Sequence, residues 1–294
     1  MKAEQVGALA KEALIYEVSV TPKPGLVDRA GSGAHRDMDF HSFLKSAASL
    51  EGYFTDCARR GALRYPLPER PNAIPLSAEL LANLRPLGRL AEKAMLASTG
   101  GVNTHKGAIF SLGLFSAAAG FAFCRTEGES RLSAEDLCRL AGQLAAPAAA
   151  DYLKSDTDPR TAGERLHRSF GTGGIRAEAA AAFPSLRLIG LPAFRIARCA
   201  GASQNDAGIY TLLRLICTVD DTTMMKRLGQ TDLSLPRQQV SSLCPLFFSD
   251  RHEFIARVQA LDLAWSVRGI SAGGCADLLA AVRFLLRVTG EESF

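Results

Sequence analysis

An unbroken stretch without charge, Gly107 to Cys124 (GAIFSLGLFSAAAGFAFC), limits what this chain can fold into more than any other feature. Its 18 residues reach the lower bound for a bilayer span. Gly107, Gly113, Gly120, Ser111 and Ser116 dilute it, and it is the one such segment, so the expectation is a buried central helix whose small residues admit close neighbours. Directly before it stand Gly100, Gly101, Asn103, Thr104, His105 and Lys106. A helix beginning near Gly107 points its unpaired backbone N–H groups and positive dipole end at a lysine, a histidine and a hydroxyl. Lys106 then lies at the wrong end of the dipole and calls for an anion, which makes Asn103, Thr104 and Lys106 candidate phosphate contacts. The order of residues rejects a P-loop, because Lys106 precedes Gly107 and Ala108 follows.

Composition narrows the class. With 294 residues and 47% hydrophobic content the chain can bury a sizeable core. The net charge of +4 is too small for a nucleic-acid coat but allows a local basic site for a polyphosphate. Seven cysteines at 57, 124, 138, 199, 217, 244 and 275 form no CxxC pair, so a thiolate zinc site is not expected. His252 and Glu253 open an HExxH pattern that ends in Ala256, which removes the metalloprotease reading. The first residues have acidic groups and helical spacing where a signal peptide would carry an apolar block, so the expectation is a cytoplasmic protein without a membrane anchor.

Along the chain, Val6, Leu9, Ala10, Ala13 and Leu14 recur at helical spacing, and Glu17 continues their inward face. That buried carboxylate needs a partner, either Lys23 in an ion pair or the site itself. Thr21-Pro22-Lys23-Pro24-Gly25 breaks the helix into a rigid turn, with Lys23 and Gly25 placed as a phosphate clamp. Asp28, His35, Asp37 and Asp39 follow in a glycine-rich stretch suited to binding Mg²⁺ or moving a proton, although Asp39 reads as the cap of the helix through Phe40 and Leu50. Residues 59 to 75 read as an exposed connection, and Ser77 as the cap of a helix that Pro86 kinks. After a polar turn at 125 to 130, Ser133 and Asp136 form a capping box.

Residues 154 to 163 read as a linker, and beyond it Gly171-Thr172-Gly173-Gly174-Ile175-Arg176 lacks the third glycine of a dinucleotide fingerprint. Asp220 and Asp221 stand at the end of the helix through Tyr210 and Ile216, where two carboxylates oppose the dipole by about 0.3–1 kcal/mol each unless a cation joins them. Either Asp221 binds magnesium or the end is a relaxed surface. Arg227 is placed to meet phosphate. Residues 229 to 246 read as loop, and two further helices run through Phe254 to Trp265 and Leu278 to Leu286. No run of alternating β-branched residues appears, so the expected fold is all-α, a single compact multi-helix domain over 1–294.

TPKPGLVD, GGVNTHKGAIFSLG and GGCADLLA, in that order between about Glu17 and Ala280, make the chain similar to triphosphoribosyl-dephospho-coenzyme A synthases. The resemblance implies a helical enzyme that joins ATP to 3′-dephospho-coenzyme A and releases adenine. Its product is the prosthetic-group precursor for the acyl carrier protein of malonate decarboxylase or citrate lyase, passed on by a downstream transferase. It also brings in His35, Asp37, Arg176 and Glu178. Where the family shows Asp-Thr-Asn this chain ends in Thr223, and Ala272 and Cys275 replace a proline and a serine of the family pattern. Chemistry of this kind needs a base near the attacking hydroxyl and a donor near the purine. Asp37 or Asp28 is the expected base, with His35 or His105 at the adenine. Lys23, Lys106, Arg176 and Arg227 are expected on phosphates beside Gly273 and Gly274, and Asp221 with Asp277 on Mg²⁺. A helical hydrolase or phosphotransferase would use the same groups but release ADP or phosphate, and a non-catalytic partner module would leave them without purpose. The oligomeric state is left open, a homodimer included.

Overall fold

The computed structural model describes residues 1–63, 76–125, 132–154 and 173–291, and among these no strand occurs. The expected linker at 154–163 apart from Lys154, most of the connection at 59–75, the turn after Arg125 and the Gly171-Thr172 pair lie outside the described residues.

The longer helices form where apolar residues recur at three and four. Helix α1 (Ala3–Ser19) buries Val6, Ala10, Ala13, Leu14 and Glu17 on one face. In α2 (Phe40–Ala62) Asp39 is the N-cap, its carboxylate accepting from Ser42 N at 2.8 Å, as its position predicts. Helix α3 (Leu76–Ser98) runs through Pro86 without interruption. Helix α4 (Lys106–Arg125) carries the uncharged stretch, and α5 (Ala134–Lys154) opens with the expected box: Ser133 N donates to Asp136 Oδ2 at 3.2 Å and Asp136 N to Ser133 Oγ at 3.1 Å.

Among the described residues α4 is the one helix long and apolar enough to cross a membrane, and it is the core of the molecule, packed by α1, α2, α3 and α5. Its glycines make this possible. A Cβ on Gly61 of α2 would stand 1.9 Å from Ala117 O, and a Cβ on Gly120 of α4 would stand 2.0 Å from Ala58 O, so the two backbones touch where side chains are missing.

The C-terminal half adds α6 (Gly174–Ala180), a single π-helical turn (Leu186–Gly190), α7 (Leu191–Cys199) and α8 (Gln204–Ile216). Two helices then occupy chain that reads as turn or loop: α9 (Thr222–Leu228) and α10 (Ser234–Ser241), the latter burying Pro236 and Val240. After the single turn α11 (Leu246–Ser249), α12 (Arg251–Arg268) buries Phe254, Val258 and Trp265. Helix α13 (Gly273–Thr289) buries most of its length and packs on α1 and α4.

Candidate functional site

The site begins where α1 ends. Glu17 emerges from the last turn into the interior, and Lys23, from the Pro-Lys-Pro turn, pairs with its carboxylate and donates to its main-chain oxygen at 2.8 Å. Both are almost fully buried, 4% and 1% exposed, so of the two readings of Glu17 the ion pair is realised. Asp28 gathers the turn: Oδ2 accepts from Thr21 Oγ1 at 2.8 Å and Lys23 N at 3.0 Å, and Oδ1 from Ala30 N at 2.7 Å and Gly31 N at 3.2 Å. With both oxygens engaged twice, Asp28 is a loop brace rather than an open base. Gly25 takes a left-handed φ of 66° and presses against Ile270, a Cβ there falling 1.9 Å from Ile270 O. Its N–H donates to Asp262 at 2.8 Å.

Downstream of this loop, His35 lies between two elements. Its Nε2 is 2.9 Å from Oγ of the buried Ser271, ahead of α13, and its Nδ1 is 3.5 Å from Nη1 of Arg227 on α9. Burial and the Arg227 guanidinium hold His35 below the usual histidine range, opposed by Asp37, an exposed residue whose Oδ1 is 4.0 Å away. Arg227 also donates to Gly269 O at 2.9 Å and Ala34 O at 2.5 Å, so the residue expected to hold phosphate is tied between two loops.

The start of α4 supplies the third group. His105 is buried, its Nδ1 2.7 Å from Ser46 Oγ on α2, while its Nε2 and the Thr104 hydroxyl find no partner among the described residues. Burial, with Lys23 nearby, lowers His105 to about 3, so it is neutral at ordinary pH. Asn103 caps the helix by accepting from Lys106 N at 3.2 Å. The helix starts at Lys106, and the anion that offsets this lysine is Glu92 of α3, 2.9 Å away on the partly exposed rim.

Asp277 of α13 faces that same helix start. A Cβ on Gly107 would meet its Oδ2 at 2.1 Å, so only glycine lets the carboxylate approach, and Ala108 donates its N–H to it. Burial raises Asp277 well above the usual carboxylate range, the charges of Glu17 and Asp221 push the same way, and the Ala108 N–H opposes them.

Asp221 requires a correction. Its position reads as a helix C-terminus, but it is the N-cap of α9, Oδ1 accepting from Thr223 N and Met224 N, both at 2.9 Å. Its Oδ2 accepts from Cys275 N at 2.8 Å, so one buried carboxylate latches the starts of α9 and α13. Burial raises its pKa against these hydrogen bonds. Gly274 allows the approach, since a Cβ there would lie 3.1 Å from Asp221 Oδ2, and Gly273 abuts Thr223 in the same way. The turn at Gly174 reaches this point too, a Cβ on it lying 3.6 Å from Thr222 Cγ2, with half-buried Arg176 two residues on. Glu178 is turned elsewhere: it accepts from Ser185 N at 2.7 Å, and burial raises it.

Turns punctuated by Gly25, Gly107, Gly174 and the Gly273-Gly274 pair therefore meet around Glu17, Lys23, His35, His105, Asp221 and Asp277. Asp37 and Lys106 stand at the exposed edge of this group, and Asp28 and Glu178 serve as braces. Two members carried no prior signal as site residues: Ser46 reads as an ordinary helix residue, and Ser271 is visible only as the first residue of a glycine turn. Among the described residues, no three His, Cys, Asp or Glu side chains form a ready metal cage. The expected Mg²⁺ still fits the donors present. Three carboxyl groups, Glu17, Asp221 and Asp277, share the interior with one lysine, and the mutual repulsion that helps raise Asp277 is what a bound cation would relieve. Magnesium commonly takes one or two carboxylates and completes its shell with water and phosphate oxygens.

A family profile described as CitG, ATP:dephospho-CoA triphosphoribosyl transferase, matches residues 3–293. A probable 2-(5''-triphosphoribosyl)-3'-dephosphocoenzyme-A synthase of Vibrio cholerae serotype O1 (strain M66-2) is 37% identical over 278 residues, 94% of this chain and 85% of that protein. The 2-(5''-triphosphoribosyl)-3'-dephosphocoenzyme-A synthase of Pectobacterium atrosepticum is 38% identical over 273 residues, 91% of this chain and 84% of its own. Protein CitXG of Haemophilus influenzae is 36% identical over 299 residues, covering 98% of this chain but 61% of that longer protein. No solved structure matches. With a profile covering nearly every residue and these relatives aligned along most of their length, the chain belongs to the ATP:dephospho-CoA triphosphoribosyl transferase family of enzymes.

Proposed function

We propose that this enzyme joins ATP to 3′-dephospho-coenzyme A, the 2′-hydroxyl of the coenzyme attacking C1′ of ATP as adenine departs with the triphosphate intact. The observation that carries this reading is the meeting of the α4 and α13 starts with a buried set of acids and bases, in a chain of this family. Helix starts with glycines present backbone N–H groups to phosphate without side-chain obstruction. Gly273 and Gly274 at α13, with Asn103 and Thr104 before α4, are the groups we assign to the triphosphate, and Arg176 and Lys106 add positive charge at its edge. Asp277, with the one lone pair that Asp221 Oδ2 has left beside its bond from Cys275 N, would hold Mg²⁺, which when bound would screen the triphosphate charge and aid its orientation. The substitution at C1′ passes through an oxocarbenium-like state, so the residues must hold the sugar, accept the hydroxyl proton and favour the leaving purine. His35 is the proton acceptor best supported by the geometry, because Asp28 is fully hydrogen-bonded. His105 stays neutral, so it offers a hydrogen bond rather than a positive charge to the purine.

The product is proposed as the prosthetic-group precursor for an acyl carrier protein of malonate decarboxylase or citrate lyase. Incubating the protein with ATP, Mg²⁺ and 3′-dephospho-coenzyme A, then separating the products by chromatography, tests the reaction. Adenine should appear only when both substrates are present, together with a conjugate retaining three phosphates. ADP or free phosphate without adenine would overturn it in favour of a hydrolase.

A further inference from the structure

His35 is held from both sides, and neither neighbour is an ordinary loop contact. We infer that Ser271 and Arg227 are positioning residues that fix His35 as a neutral imidazole protonated at Nε2, leaving Nδ1 as the atom that accepts the substrate's proton. The identity of that proton, on the 2′-hydroxyl of the coenzyme, rests on the reaction proposed above; the tautomer does not.

Arg227 presents a guanidinium to the ring. It has N–H donors in every direction and no lone pair to accept with. Arg227 Nη1 faces Nδ1 at 3.5 Å, so Nδ1 meets it with a lone pair and the ring proton resides on Nε2. That N–H then donates to Ser271 Oγ at 2.9 Å, and Ser271 is fully buried. The opposite tautomer, or the imidazolium, would set an N–H against a cation. Asp37 is the other charged group at the ring, but at 4.0 Å and largely exposed it is beyond hydrogen-bond reach and does not reverse the choice. Arg227 has little freedom to withdraw, since Nε and Nη2 are anchored to Gly269 O and Ala34 O. At 3.5 Å its hold on Nδ1 is loose, which lets a hydroxyl displace it.

In the step itself the 2′-hydroxyl gives its proton to Nδ1, its oxygen bonds to C1′, and the C1′–N9 bond breaks with its electron pair passing to adenine. The departing purine takes up a proton from solvent, and His35 returns its own to water, so coenzyme and ATP are converted to conjugate and adenine without another reactant.

The test uses the full chain labelled with ¹⁵N-histidine. The His35 signal is identified among the 5 histidines by its loss in His35→Gln. Expected in the wild type is the Nε2–H tautomer, with titration below the ordinary histidine value. Ser271→Ala should mix the tautomers and lower kcat for adenine release about tenfold or more, a part of the roughly 10²–10⁴-fold that a positioned base contributes, with KM for ATP little changed. Arg227→Leu should move both the His35 titration and the acid limb of kcat to higher pH. A serine that serves only packing would move neither the tautomer nor the balance of kcat against KM. An Nδ1–H tautomer in the wild type, or a titration indifferent to Arg227→Leu, would overturn the inference. Should Ser271→Ala not fold, the Arg227→Leu variant at an exposed position decides alone. A wild type that shows the expected tautomer but releases no adenine would instead sink the reaction and leave the positioning intact.

Discussion

At the scale of single residues, Lys23 illustrates how a polar group of double meaning is resolved. A lysine in a Pro-Gly turn invites a phosphate, yet here it neutralises Glu17 inside the molecule. Lys23→Met should therefore cost about 3–5 kcal/mol in urea unfolding, because Glu17 is left buried without a partner, and adding Glu17→Gln should restore much of it. Equal loss in the single and double variants would show that the pair is not the cause. His105 gives a second expectation. Its folded value of about 3 lies below that of an unfolded histidine, so as pH falls the unfolded chain takes up the proton first. The stability due to neutral His105 is complete above about pH 6.5 and drains away as pH falls toward 3, at most about 1.4 kcal/mol per pH unit. Replacing it by Gln should flatten the fall in unfolding midpoint on acidification; an unchanged slope would refute the assignment. Sequence alone made both residues visible as chemistry. It offered Glu17 as a partner for Lys23 but gave none for His105, since Ser46 lies 59 positions away and carries no pattern of its own.

At the scale of elements, the long helices were legible because burial imposes a period, and Glu17 was correctly read as continuing the inward face of α1. The short helices were not. Helix α9 has 7 residues, too few for a period, and its cap Asp221 follows so closely on α8 that it reads as the end of that helix. Helix α10 begins with Ser-Leu-Pro, which resembles a turn until Pro236 is seen to occupy the first helical turn, where a missing N–H does no harm. The α2–α4 contact carries the prediction proper to this scale. Gly120→Ala places a methyl 2.0 Å from Ala58 O, with backbone as the obstacle, so the helices must part. We expect about 1–3 kcal/mol of destabilisation, the usual cost of overpacking, and a similar loss for Gly61→Ala. A neutral or stabilising result at either position, read by denaturant midpoint, would contradict the close crossing.

At the scale of the whole molecule, separated turns are gathered by long-range latches: Asp221 between α9 and α13, Asp277 against α4, and Arg227 between the loops at 34 and 269. Their convergence was expected from the glycines, but the means was not, because a latch is a relation between distant residues. If Asp277 holds the proposed cation, Asp277→Asn should raise the Mg²⁺ concentration needed for half-maximal adenine release roughly tenfold or more, at least the scale of losing an outer-shell partner of a metal ligand. A magnesium titration superimposable on the wild type would remove Asp277 from that role. The same convergence bears on how the protein fails. Helix α4 is apolar on every side and depends on its neighbours for cover. Once heat strips those neighbours away, an 18-residue oily rod is left in water, and such rods coalesce faster than they are re-enclosed. Inactivation should thus be governed by how rarely the bundle opens, with an apparent melting temperature that climbs with heating rate, and a nucleotide that clasps the latches shut should lengthen the half-life.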